Sequence, residues 1–292
     1  MDKKDAKKPT TYREQIAILE SRGLIIRDKE EAERILQRIN YYRFTAYALS
    51  FKSNDKFYDN TTFEKIYSLY EFDKRLRTLI MDMLENIEIA FRTHIAYTHS
   101  HKYGGLGYRE SANFARKDFH MLMIRDMEKE VRRSKEVFID HNCTAYKDLA
   151  FWIVVETLRF GTLSKLYRNL KPEDRKHIAN TYYPGIPYSY IQGWLQVLTA
   201  LRNVCAHYSR LYNRDFNNIP KLHEKDDKYI PDDKKLFASI YIMKRFNPER
   251  KTWESFLLNL QALILQYEDA VKLDLIGFPE DWERILYLSE KG

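Results

Sequence analysis

No glycine or proline interrupts the chain between Gly23 and Gly104, or between Gly107 and Gly161. Sheets of short strands need frequent turns, and turns draw heavily on those two residues. Runs this long without them favour helices. The apolar spacing agrees, because Phe72, Leu76, Leu79, Ile80, Met83, Leu84, Ile87 and Phe91 recur at intervals of three and four, the period of one helix face. That helix is predicted from a Thr62 cap to near His101, before the Gly104-Gly105 stop. Others are expected at 12–22, from an Asp28 cap to about Ile39, and at 117–136, 148–158, 162–169, 172–180 behind Pro172, 188–213, 233–246 and 252–271. The fold class is all-α, with an N-terminal helical portion, 1–60, and a helical bundle, 61–292. The first two helices lack a basic recognition face, so they read as a packed αα-hairpin rather than a DNA-reading helix-turn-helix. The charged stretch 216–232, which holds Pro220 and Pro231, is the best candidate for a mobile loop.

A chain of 292 residues with 44% hydrophobic content can bury one large core or two small ones. Its net charge of +7 fits a polyanionic partner, although many proteins with such an excess bind no nucleic acid. Cys143 and Cys205 form no disulfide framework. No apolar run approaches a membrane span, and the charged start MDKKDAKKPTT lacks the apolar stretch of a secretory signal. A reducing, cytoplasmic setting is therefore expected. There is no glycine-rich phosphate loop, no His-Glu-x-x-His and no cysteine pair. No metal and no cofactor is expected.

The most informative short stretch is Arg202-Asn203-Val204-Cys205-Ala206-His207. On a helical wheel at about 100° per residue, Trp194, Val197, Leu198, Leu201, Val204, Cys205, Tyr208, Leu211 and Tyr212 form one stripe. Arg202, Asn203, Ala206, His207, Arg210, Asn213 and Arg214 lie on the opposite side. The stripe belongs in the core, so the Arg/Asn/His group faces solvent, a partner or a ligand. Imidazole titrates near neutrality and guanidinium is permanently charged, and together they can cut a phosphodiester without metal. Spacing alone does not single out this pair, since Arg92 and His99 are also separated by a few residues. Asn203 distinguishes the first pair, one turn before His207. Arg92 and His99 are expected on a solvated helix face.

The longer string WLQVLTALRNVCAHYSRLYNR resembles the Abi-like family of bacterial abortive-infection proteins. So do YREQIAILESRGLII at 12–26, INYYRFTAYALSF at 39–51, FWIVVETLRFGTLSKLYRNL at 151–170 and GFPEDWERILYL at 277–288. The likeness runs in order along nearly the whole chain. It implies a HEPN-like helical bundle and a metal-independent endoribonuclease. It also implies that Arg202 and His207 form a site shared by two subunits of a homodimer. An antitoxin or a phage-derived trigger is a further implied partner, and neither can be named from the sequence.

Residue chemistry fits that implication. The 2′-hydroxyl of RNA is the nucleophile. His207 can move protons, Arg202 can fork across phosphate oxygens, and Asn203 can hold the histidine or donate to phosphate. Glu156, one acid inside the apolar run FWIVVETL, needs a partner if buried, and Arg202 is a candidate. Arg210 and Arg214 follow on the same face as candidate phosphate contacts. A non-cleaving protein that holds a dedicated small RNA would use the same face, and exposed tyrosines would serve either role.

Overall fold

Caps written in the sequence start the first helices. The computed structural model describes residues 8–287. Thr11 and Glu14 form a reciprocal capping box at the start of α1, Tyr12–Ser21. Gly23, at φ +92°, lets the chain reverse. Asp28 then accepts the Glu31 N–H at 2.8 Å to open α2, Lys29–Arg38. The two helices pack as an αα-hairpin that buries Ile16, Leu19, Ala32, Ile35 and Leu36. Asn40 caps α3, Tyr41–Tyr47. A two-residue hairpin follows, β1 Lys52–Ser53 against β2 Lys56–Phe57, with Lys52 opposite Phe57. Its turn residues Asn54 and Asp55 both have positive φ, as a type I′ turn requires. Thr62 accepts the Lys65 N–H at 3.2 Å and opens α4, Phe63–Tyr103.

The chain then forms α5 Lys117–Arg133, α6 Val137–Ala145, α7 Phe151–Val154, α8 Phe160–Asn169, α9 Pro172–Tyr182 and α10 Tyr188–Ala206. After these come α11 Glu224–Asp227, α12 Leu236–Phe246, α13 Arg250–Gln266 and α14 Trp282–Tyr287. The fold is all-α, and the hairpin is the one sheet among the described residues.

Contacts divide the chain into two compact units, and the division falls inside α4 and α13. The first comprises the described residues up to Arg77 together with Asn259–Lys272. Within it Phe44 stacks on Phe63 at 4.3 Å, and Tyr47 donates to buried Asp73 at 2.6 Å while Arg77 pairs with the same carboxylate. The second comprises Thr78–Leu258 and the described residues from Leu273. Its core centres on α4. Phe91 meets Tyr167 of α8, Tyr183 just after α9 and Phe246 of α12, and Trp194 of α10 meets Phe246 at 5.7 Å. These rings fix α10 from its buried side, which leaves its other side available.

Several sequence expectations are corrected. The helix expected at 188–213 ends at Ala206. The segment 148–158 holds one helical turn and a short 3-10 turn. Helices α3, α6 and α14 and the hairpin were not anticipated, because each is short and amphipathic over too few residues to show a period. The stretch 216–232 is not an open loop. Phe216 and Ile230 are buried, Trp194 donates to the Lys221 carbonyl at 2.8 Å, and Tyr241 donates to Asp226 at 2.7 Å.

Candidate functional site

His207 is the C-cap of α10. The Tyr208 N–H donates to the Cys205 carbonyl and the Ser209 N–H to the Val204 carbonyl, each at 3.0 Å. This is the hydrogen-bond pair of a Schellman motif, whose left-handed position usually holds glycine. Here it holds Tyr208, at φ +56°. The chain therefore swings away directly after His207. Leu198, Leu201 and Cys205 are buried, Asn203 and His207 are exposed, and Arg202 is half-buried, as the wheel requires.

Beyond His207 the wheel fails because the helix has stopped. Tyr208, placed on the core stripe, is 70% exposed. Leu211 and Tyr212 reach the core from irregular chain. Arg210 and Arg214 are half-buried on that same irregular stretch, and the Arg214 guanidinium lies 5.7 Å from the Phe216 ring.

Arg202, Asn203 and His207 line one wall of a cleft of about 560 Å³. The opposite wall is α5, through Asp126, Lys129, Glu130 and Arg133, and the floor is the start of α8, with Arg159, Thr162 and Lys165. Arg210 and Arg214 do not line it. Five cations face two carboxylates, and one of those carboxylates is already committed. Glu130 accepts the Arg159 N–H and the Thr162 hydroxyl, both at 2.8 Å, so it caps the first turn of α8 and ties α5 to it. The remaining surplus is strongly positive and open to a polyanion. Sequence reasoning missed Lys129, Arg133, Arg159 and Lys165. Asp126, Lys129 and Arg133 do share a helix face by spacing, but nothing in the sequence says that this face looks at α10.

Glu156 is not the buried partner of Arg202. It is exposed, lies 4.0 Å from Arg92 and lines a separate, largely apolar pocket with Tyr97 and Trp152. The buried carboxylate beside Arg92 is Glu88, 9% exposed and paired with it. Burial raises its pKa, and the charges of Arg92 and Arg202 oppose that rise. Arg92 also donates to the Leu158 carbonyl at 2.8 Å. Neither Arg92 nor His99 lies on a solvated face, since Arg92 is largely buried in these contacts and His99 is 1% exposed. Asn203 accepts a long 3.5 Å hydrogen bond from Arg202, and its carbonyl accepts the His207 N–H at 3.0 Å. Among the described residues no group of three or more histidine, cysteine, aspartate or glutamate side chains is arranged to hold a metal ion. No helix among them is long and apolar enough to cross a membrane.

Fold and site together define an all-α protein whose basic cleft carries a histidine and an arginine on one helix end. The profile of the family described as Abi-like protein matches residues 34–213, most of the chain and all of the Arg202–His207 segment. The chain belongs to that family. No curated protein and no solved structure matches it.

Proposed function

We propose that this protein is a metal-independent endoribonuclease of HEPN type, acting in an abortive-infection role. Membership of the Abi-like family supports the abortive-infection part. The observation that carries the ribonuclease part is the cleft in which exposed His207 and half-buried Arg202 share walls with Lys129, Arg133, Arg159 and Lys165. The cations would bind the phosphates of a nucleic-acid backbone. His207 takes the proton of the 2′-hydroxyl. The 2′-oxygen attacks phosphorus, the bond to the 5′-oxygen breaks, and an imidazolium gives a proton to that leaving oxygen. Arg202 stabilises the charge that builds on the phosphoryl oxygens. The products are a 2′,3′-cyclic phosphate and a 5′-hydroxyl.

One histidine is poorly suited to act as base and acid at the same instant. A two-fold dimer supplies a second, because such a contact sets identical patches face to face.

His207→Ala and Arg202→Ala should each lower cleavage of single-stranded RNA by about 10²–10⁴-fold while leaving the circular dichroism spectrum and melting temperature unchanged. Activity should survive EDTA, and 2′-deoxy substitution at the cut site should block it. Cleavage that needs Mg²⁺, or that survives His207→Ala, overturns the assignment. Tight RNA binding without cleavage would establish a holding protein instead.

A further inference from the structure

The first compact unit holds a groove of about 900 Å³. It runs between α1, α2 and the start of α3, and it contains the tyrosine-rich stretch that the catalytic reading leaves without a role. Tyr12, Tyr41 and Tyr42 line it. Tyr42 is 68% and Tyr12 39% exposed, and the rings of Tyr41 and Tyr42 stand perpendicular, 5.7 Å apart. An edge-to-face pair covers one face of one ring only, so other ring faces stay open for a flat ligand to stack on.

Four cations also line the groove, Lys8, Arg22, Arg38 and Lys52, with Asp55 as the one carboxylate on the lining and Glu31 beside it, 3.4 Å from Arg38. Asp55 already takes Arg22 at 3.1 Å and Lys52 at 2.8 Å. Gln15 places a buried carbonyl oxygen without a hydrogen-bond partner on the same lining. A buried acceptor left unpaired is costly, and a ligand N–H would satisfy it.

Open aromatic faces, a surplus of cations and amide groups are what a short single strand of nucleic acid needs for its bases, phosphates and base edges. A paired duplex hides its base faces, and α1 and α2 present no basic recognition face. We infer that this groove binds single-stranded RNA by stacking bases on Tyr42 and its neighbours. The inference rests on the reading of the protein as one that acts on RNA, and it makes the groove a second contact surface for that RNA, separate from the cleft.

The test is binding of a short fluorescein-labelled single-stranded RNA to the full chain carrying His207→Ala, so that no cleavage intrudes. Base–aromatic stacking is worth about 1–3 kcal/mol, so Tyr42→Ala should weaken binding about 5- to 150-fold, whereas Tyr42→Phe should bind as the parent does. Arg38→Gln should lower the slope of log affinity against log salt by about 0.7. Tyr42 is exposed, so these variants should melt as the parent does. Parental affinity in Tyr42→Ala, equal competition by duplex RNA, or no RNA binding at all would overturn the inference. The readout is separate from catalysis. If the cleavage assay fails while Tyr42→Ala still loses RNA, the endoribonuclease reading falls and the groove stands.

Discussion

His99 and His207 show how position sets what one residue type does. His207 lies exposed at the lip of the cationic cleft. His99 is sealed among Tyr103, Phe114 and Phe151, and neither ring nitrogen has a hydrogen-bond partner among the described residues. Burial lowers the His99 pKa to about 4, from 6.5. The unfolded chain therefore binds a proton at a higher pH than the folded protein does. Stability is intact above pH 6.5 and is lost as pH falls from 6.5 toward 4. At pH 5 the cost is about 2 kcal/mol. His99→Phe, an aromatic in an aromatic pocket, should lose less melting temperature than the parent between pH 7 and pH 5. An identical acid slope in the two proteins would remove His99 as a source of acid sensitivity.

Glu88 is the second residue whose setting decides its role. It anchors Arg92 in a buried pair, and the charge of Arg202 opposes the rise that burial gives its pKa. Glu88→Gln keeps the shape and removes the charge. If Glu88 positions Arg202, kcat should fall by about ten- to a hundred-fold with KM little changed. An unchanged kcat would reduce Glu88 to a structural partner of Arg92.

At the scale of elements, the end of α10 is the decisive feature. A tyrosine in the left-handed region costs about 1–2 kcal/mol relative to glycine. Tyr208 accepts that strain while leaving its ring 70% exposed beside His207. Strain kept next to a site argues for a role there. Tyr208→Gly should raise unfolding free energy by about 1 kcal/mol, after the greater freedom of glycine in the unfolded chain is subtracted. If the exposed ring serves the proposed RNA contact, the same change should also weaken RNA affinity. Higher stability with unaltered affinity would leave the tyrosine without a function. The start of α8 shows complementary logic, since its cap is Glu130 of α5 rather than a local residue. The cleft floor and wall are thereby held together by one carboxylate.

At the scale of the whole molecule, the proposed cleavage asks for two histidines, and His207 is the one that lines the cleft. Sedimentation should therefore find a dimer at micromolar concentration. Mixed dimers of wild-type and His207→Ala chains should be inactive, so activity should follow the fraction of wild-type homodimer. A strict monomer that cleaves RNA would overturn the shared site.

The helical class, the caps at Asp28 and Thr62, and the outward face of Arg202, Asn203 and His207 follow from the sequence alone. Each depends on neighbours within a turn or two, and apolar period and capping chemistry are local. The composition of the cleft did not follow, because Lys129 and Arg133 come from α5 and Arg159 and Lys165 from the chain at and after the start of α8. Replacing Glu156 by Glu88 as the buried carboxylate needed the packing of α4, which hides one acid and leaves the other at the surface. Likewise the halt of α10 at Ala206 turned on a left-handed tyrosine, a conformation that only the surrounding tertiary structure can hold in place.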